Sequence, residues 1–343
     1  MLRKLRDFKK RKWLLRFVGL GIFIYILTII DVRQTFKVIS DINLYIYCLV
    51  VLMIPVSSLI KGCRLKILLG YRNIKIKLSE LTAVDISSSF LGVITPGRIG
   101  ELYKLLFLKR RGFAYSQTIT SCVLDRVFDI FCFLILSLAI LPFSPIAVVS
   151  EKVLVLNISA TLFFLFLFFY VLIKTNLIDK IVIKTLYTIT PSEYKENLRD
   201  GLTTLFRQIK NIGLNELIKP SIVTLLWWIS FIVRNYFLIL AFGLRIPIVV
   251  LTFCLCLIGV LSFLPISFSG IGTRDAVLLM FFSRYGANYE QIIAYSIMVL
   301  FGRFVVTGFY ALLAEFYLRK NKNEKEHVKD ISPIEVKSKY AVK

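Results

Sequence analysis

The chain has 343 residues, 57% of them hydrophobic, and a formal net charge of +23. Apolar runs this long and this frequent place it among integral membrane proteins and exclude a soluble domain. Its cations fall in alternate loops, as the positive-inside rule expects, so the charge implies no nucleic-acid partner.

Residues 1–12 form a basic cytoplasmic arm that includes Arg3, Lys4, Arg6 and Lys9. The first span, about Trp13 to Ile30, has no small-residue cleavage site after it and reads as a retained helix. It exits to a short loop with Asp31 and Asp41. The second span, Ile42 to Ile60, returns to a basic stretch holding Lys61, Arg64, Lys66, Arg72, Lys75 and Lys77. Next comes Ser87 to Arg111, apolar but interrupted by Pro96-Gly97. Counted from Glu80 to Lys109, each leg runs about 14 residues, short of the roughly 20 that a spanning helix needs. The expected shape is a broken hairpin, about 80–108, that dips in and returns to Lys109-Arg110-Arg111 on the side it left. Such backbone survives at membrane depth only inside protein or beside a wet cavity. The new helix start at Arg98 to Glu101 is expected to turn unpaired N–H groups into that cavity, an anion site. The third span, Thr118 to Leu141, carries Asp125, Arg126 and Asp129 and closes a first repeat, 13–142.

The second repeat, 143–318, opens with an outer loop free of basic residues and a fourth span, Val153 to Ile173. A basic cytoplasmic loop, about 174–219, has apolar positions at helical spacing that suit the inner leaflet. The fifth span, about Pro220 to Phe242, contains Arg234 and Asn235. A second hairpin, about 247–284, has legs Pro247 to Ile266 and Arg274 to Arg284; its first leg is long enough that two true crossings are the alternative. The sixth span, Ile292 to Leu318, precedes a basic, disordered tail at 319–343.

Sliding the chain by 174 residues sets Leu105, Phe107, Arg110, Gly112, Tyr115, Gln117 and Ile119 on identical residues at Leu279, Phe281, Arg284, Gly286, Tyr289, Gln291 and Ile293. Glu101 falls on Asp275, Asp129 on Arg303, and the Pro-Gly break on Ser269-Gly270-Ile271-Gly272. An odd number of crossings separates the hairpins, so the copies insert in opposite directions, the inverted-repeat plan of many secondary transporters. The predicted fold is all-α: a polytopic membrane protein of about six full spans plus two broken, re-entrant hairpins, with both termini cytoplasmic in the cell membrane.

Charges in apolar segments mark a pathway or a buried pair. Arg98, Glu101, Arg274 and Asp275 flank the breaks; Asp125, Arg126 and Asp129 share the third span, with Arg234 on the fifth, Arg303 on the sixth and Asp85 in the first hairpin leg. Arg98 and Arg274 read either as a fork for a phosphate or other anionic headgroup or as partners of their neighbouring carboxylates. The acid pair Asp125 and Asp129 reads as a salt-bridge network, a substrate contact, or the paired acids of a glycosyltransferase or hydrolase. Ser87, Ser88 and Ser89 offer hydroxyls or close packing. The only histidine, His327, lies in the tail, and the six cysteines lack metal or redox spacing. No cofactor or metal is implied.

TPGRIGE at Thr95–Glu101, LDRVFD at Leu124–Asp129 and LPISFSGIGTRD at Leu264–Asp275 resemble the lysylphosphatidylglycerol synthase transmembrane-region family, the flippase-like integral membrane proteins. The resemblance covers about residues 10 to 320 and implies a lipid-handling domain. By motif it points to Pro96, Gly97, Arg98, Gly100, Glu101, Asp125, Arg126, Asp129, Pro265, Gly270, Gly272 and Asp275. Bifunctional members carry a soluble aminoacyl-transferase domain that this chain lacks, so synthase activity is not expected. The expected activity is translocation of an anionic phospholipid or polyprenyl-phosphate headgroup held between the hairpins. A membrane glycosyltransferase, or an accessory protein serving a separate lipid-modifying enzyme, is the alternative; a non-transporting scaffold is the third.

Overall fold

The computed structural model describes residues 31–140, 213–263 and 270–320, together with Tyr25, Thr28, Ala160, Thr203 and Arg207. Apart from those single residues, the first and fourth spans, the cytoplasmic arm and the loop before Gly213 lie outside the described residues, as do Pro265 and the tail beyond Lys320. The described elements are all helical. Where the sequence suggested a plain loop there is a helix, α1, Val32–Ser40. Asp31 caps it by accepting from the backbone N–H groups of Arg33 and Gln34.

The second predicted span is longer than expected. α2 runs from Leu44 to Gly70, so Lys61, Arg64 and Lys66 belong to the helix and not to a loop after it. It lies antiparallel to α6, Leu214–Ala241. Asn43 N–H donates to the Ala241 carbonyl, Ser57 meets Ser230 at 3.2 Å, and Arg72 meets Glu216 at 3.4 Å. The outward faces of these helices are apolar: Tyr45, Leu49, Leu52, Val56 and Leu59 on α2, and Ile218, Ile222, Leu225 and Ile229 on α6, are exposed at helical spacing. A polar face would be expected there in water, and this stripe is what acyl chains require. With Tyr289–Lys320 (α9, which contains a π-helical stretch at Gly302–Val306), these are three helices long and apolar enough to cross a membrane among the described residues. The chain is a multi-pass membrane protein.

The Pro-Gly break is real. α3, Leu78–Ile94, ends at Thr95, a 3-10 segment covers Pro96–Leu102, and α4, Tyr103–Arg110, runs back. Arg111 pairs with Glu80 at 2.9 Å at the open end of this hairpin, and Lys104 with Asp85 at 2.6 Å halfway along. At the tip, Gly92 and Gly100 let the two legs touch: a Cβ on Gly92 would meet Glu101, and one on Gly100 would meet the Leu91 backbone. α5, Tyr115–Ile140, follows. The second hairpin has α7, Ile248–Phe263, and α8, Thr273–Phe282, with Phe253 and Phe281 edge to face.

Equivalent features recur at two offsets. Asn43 and Gly213, the N-caps of α2 and α6, are 170 apart, as are Asn73 and Gly243, which turn left-handed after them in the same hydrogen-bond pattern. Left-handed Gly112 and Gly286, and the helix starts Tyr115 and Tyr289, are 174 apart. The 174-residue offset expected from the sequence therefore applies from the hairpin breaks onward, Arg98 and Gly272 included, while α2 and α6 follow 170, so the first leg and break of the second hairpin hold four extra residues. Each hairpin packs on the last helix of the other half. Leu81 and Val84 of α3 share a core with Ala311, Ala314 and Leu318 of α9, while Cys256 of α7 clusters with Cys132 of α5 and Trp228.

Candidate functional site

Two groups of charges lie inside this bundle, and they differ in balance. The first gathers α2, the first hairpin and α5. Arg64 donates through Nε to Asp125 at 2.7 Å and through Nη1 to Asp129 at 2.6 Å and Thr224 at 3.0 Å. Lys104 bridges Asp85 at 2.6 Å and Asp125 at 2.9 Å. Lys61 reaches Asp129 at 3.1 Å, with its ammonium 4.1 Å from the centre of the Trp227 ring. Arg126 pairs with Glu101 and stands 3.7 Å from Asp129. Four cations thus meet four carboxylates, which is how ionised groups tolerate burial. Of the predicted site residues, Glu101, Asp125, Arg126 and Asp129 all belong to this neutral network.

Lys61, Arg64 and Lys104 were not legible as members. Lys61 and Arg64 read as a loop signal and Lys104 had no motif. The one available clue is spacing: Arg64 sits six residues before Gly70, the last residue of α2, with Lys61 one turn before it.

The second group surrounds Arg303 on α9. Arg98, Arg234 and Arg274 all lie within electrostatic range of it and repel it. Among the described residues, Arg303 and Arg234 have no carboxylate partner; Arg234 rests only over the Phe231 ring, 5.3 Å away. Arg274 is 3% exposed, donates through Nε to Ser296 at 2.7 Å and through Nη2 to Asp275 at 3.2 Å, and its Nη1 is buried without a hydrogen-bond partner. Asp275 is occupied by its own loop, accepting from the Ser296 hydroxyl and from Gly272 N–H. Arg98 has an exposed side chain, 59%, and a weak 3.7 Å approach to Glu101. Counting both groups, Lys61, Arg64, Arg98, Lys104, Arg126, Arg234, Arg274 and Arg303 face Asp85, Glu101, Asp125, Asp129 and Asp275, a surplus of three positive charges.

Two of the four helix-start amides expected to be bare, those of Arg98 and Gly100, are taken. Arg98 N–H donates to the Thr95 carbonyl and Gly100 N–H to Thr95 Oγ1 at 2.7 Å, so Thr95 itself closes the break. At the other break, Asp275 and Gly270 take the Gly272 and Arg274 amides. Ser88 likewise turns inward, donating to the Asp85 carbonyl, whereas the Ser87 hydroxyl is buried without a partner.

The family described as the lysylphosphatidylglycerol synthase TM region matches residues 16–312. A UPF0104 membrane protein of Pyrococcus horikoshii is 22% identical over 333 residues, covering 91% of this chain and 98% of its own length. No solved structure gives a significant match. With its matched region running through both hairpins and all the charged positions described above, the chain belongs to the lysylphosphatidylglycerol synthase TM region family.

Proposed function

We propose that the protein is a lipid translocase that holds an anionic phospholipid or polyprenyl-phosphate headgroup between its two broken hairpins while the chains stay in the bilayer. The observation that carries this reading is the surplus of three positive charges around Arg303. Unpaired charge at membrane depth is costly, so a surplus that persists implies an anion that visits it. The two halves form an inverted repeat of six spans and two re-entrant hairpins, in the cell membrane with both termini cytoplasmic. Supporting this are the antiparallel α2 and α6, which meet at Ser57 and Ser230, and the hairpins exchanged between halves. Rocking of one half on the other would expose the headgroup to each leaflet in turn. The glycosyltransferase alternative needs Asp125 and Asp129 free for a metal or sugar, and both already accept from Arg64.

Arg98 provides the test. It is not glycine, yet it holds a left-handed φ of 57°, as does Gly272 (82°), 174 residues further on. Strain of this kind, roughly 1–2 kcal/mol, is kept where a side chain is needed. Arg98→Gly is expected to raise thermal stability in detergent while slowing the movement of fluorescent phosphatidylglycerol between leaflets of protein-containing vesicles, by about tenfold. Wild-type movement no faster than in protein-free vesicles overturns the translocase reading. Arg98→Gly moving lipid at the wild-type rate removes Arg98 from the pathway.

A further inference from the structure

The origin of the arginine surplus also points to the kind of headgroup it suits, an inference that rests on the translocase reading above. In the first half, Arg64 is neutralised by Asp125 and Asp129. Arg234 stands 170 residues beyond Arg64, the offset at which α6 repeats α2. The positions 174 beyond Asp125 and Asp129, the offset at which Tyr289 repeats Tyr115, are Val299 and Arg303. The two carboxylates that complete the first network are therefore replaced in the second half by an apolar residue and a further cation. Lys104 has no counterpart either: Leu278 stands 174 residues on.

What remains is a half-buried arginine cluster: among the described residues Arg234 and Arg303 have no carboxylate partner, and the buried Nη1 of Arg274 has no hydrogen-bond partner. Arg274 is fixed by Ser296 and Asp275 on its other nitrogens, so this free donor keeps its direction. A guanidinium donates in a planar fork that matches phosphate oxygens. A phosphodiester lipid brings one negative charge and would leave about two of the three surplus cations unmatched in a medium that screens them poorly. A phosphate monoester carries roughly two charges, and a diphosphate more. An aminoacylated headgroup would add ammonium groups where cations already repel one another.

We infer that this arginine cluster selects lipids ending in a phosphate monoester or diphosphate over phosphodiester lipids. The experiment is ligand-dependent thermal unfolding of the full-length protein in detergent, with farnesyl diphosphate, farnesyl phosphate, short-chain phosphatidylglycerol and inorganic pyrophosphate as probes. Stabilisation is expected to rank farnesyl diphosphate, farnesyl phosphate, then phosphatidylglycerol. The diphosphate should act at a concentration at least about tenfold lower than the phosphodiester. Arg303→Gln and Arg234→Gln should each compress that ranking. Without ligand, Arg303→Gln should unfold at a higher temperature, because it relieves repulsion from Arg98, Arg234 and Arg274. Phosphatidylglycerol matching the diphosphate, or a ranking unchanged in both variants, overturns the inference. Equal shifts from inorganic pyrophosphate overturn the lipid source. Leaflet exchange in vesicles is a separate readout, so a protein that moves lipid without this ranking keeps the translocase reading and loses only the selectivity.

Discussion

Arg64→Met lowers the unfolding free energy by roughly 3–5 kcal/mol, the cost of stranding a buried charge by removing its partner. Arg64 is 1% exposed and joins three helices: its own α2, α5 through Asp125 and Asp129, and α6 through Thr224. Methionine fills the aliphatic volume but supplies no donor. Asp125 would keep Lys104 and a long 3.9 Å approach from Arg126, and Asp129 would keep Lys61 with Arg126 farther off. Two carboxylates with full desolvation and half their compensation cannot both stay charged and comfortable. The control is Lys66→Met, two residues along the same helix but exposed, where a change within about 0.5 kcal/mol is expected. Adding Asp125→Asn to Arg64→Met should recover part of the loss, since it removes one of the stranded charges. Equal unfolding midpoints for Arg64→Met and Lys66→Met would show that the network carries no stability.

That network also marks the limit of what the chain's order of residues discloses. The break at Pro96-Gly97, the charges beside it and the left-handed glycines at Gly112 and Gly286 are local signals, and the structure places a break or turn at each. Arg64 is different. Read along the chain, a cation after 20 apolar residues marks the end of a span, because an isolated charge belongs in water. Its neutralising acids lie 61 and 65 residues away, and only the packed bundle brings them together. The same blindness hid Lys104, whose partners Asp85 and Asp125 stand 19 and 21 residues from it on different helices. The change of register from 170 to 174 escaped notice for another reason. Identities in the α2 and α6 copies are sparse, Arg64 with Arg234 being the telling one, and the four extra residues fall within the second hairpin. Thr95 carries no signal of its own in the sequence: amides at a helix start are expected to be free, whereas its hydroxyl just before the break satisfies Gly100.

Gly100→Ala is expected to have the second-largest effect, at the upper end of the roughly 1–3 kcal/mol that overpacking costs, or beyond it. A Cβ at Gly100 would run into the carbonyl carbon and oxygen of Leu91. Backbone at the end of α3 cannot rotate away as a side chain can, so the tip of the first hairpin must part. Gly92→Ala should cost less, because the Cβ meets the flexible side chain of Glu101. Gly70→Ala, which meets nothing within 4 Å, should be neutral or gain a few tenths of a kcal/mol in helix propensity. The consequence for transport follows from what the tip carries. Parting it pulls Glu101 from Arg126 and moves Arg98 away from the arginines around Arg303. Gly100→Ala should therefore lose leaflet exchange more completely than its residual folded fraction explains, while Gly70→Ala keeps both. If Gly100→Ala unfolds and transports like Gly70→Ala, close contact at the tip does not hold the hairpin together. The proposed anion site would then rest on the arginines of α6, α8 and α9 alone.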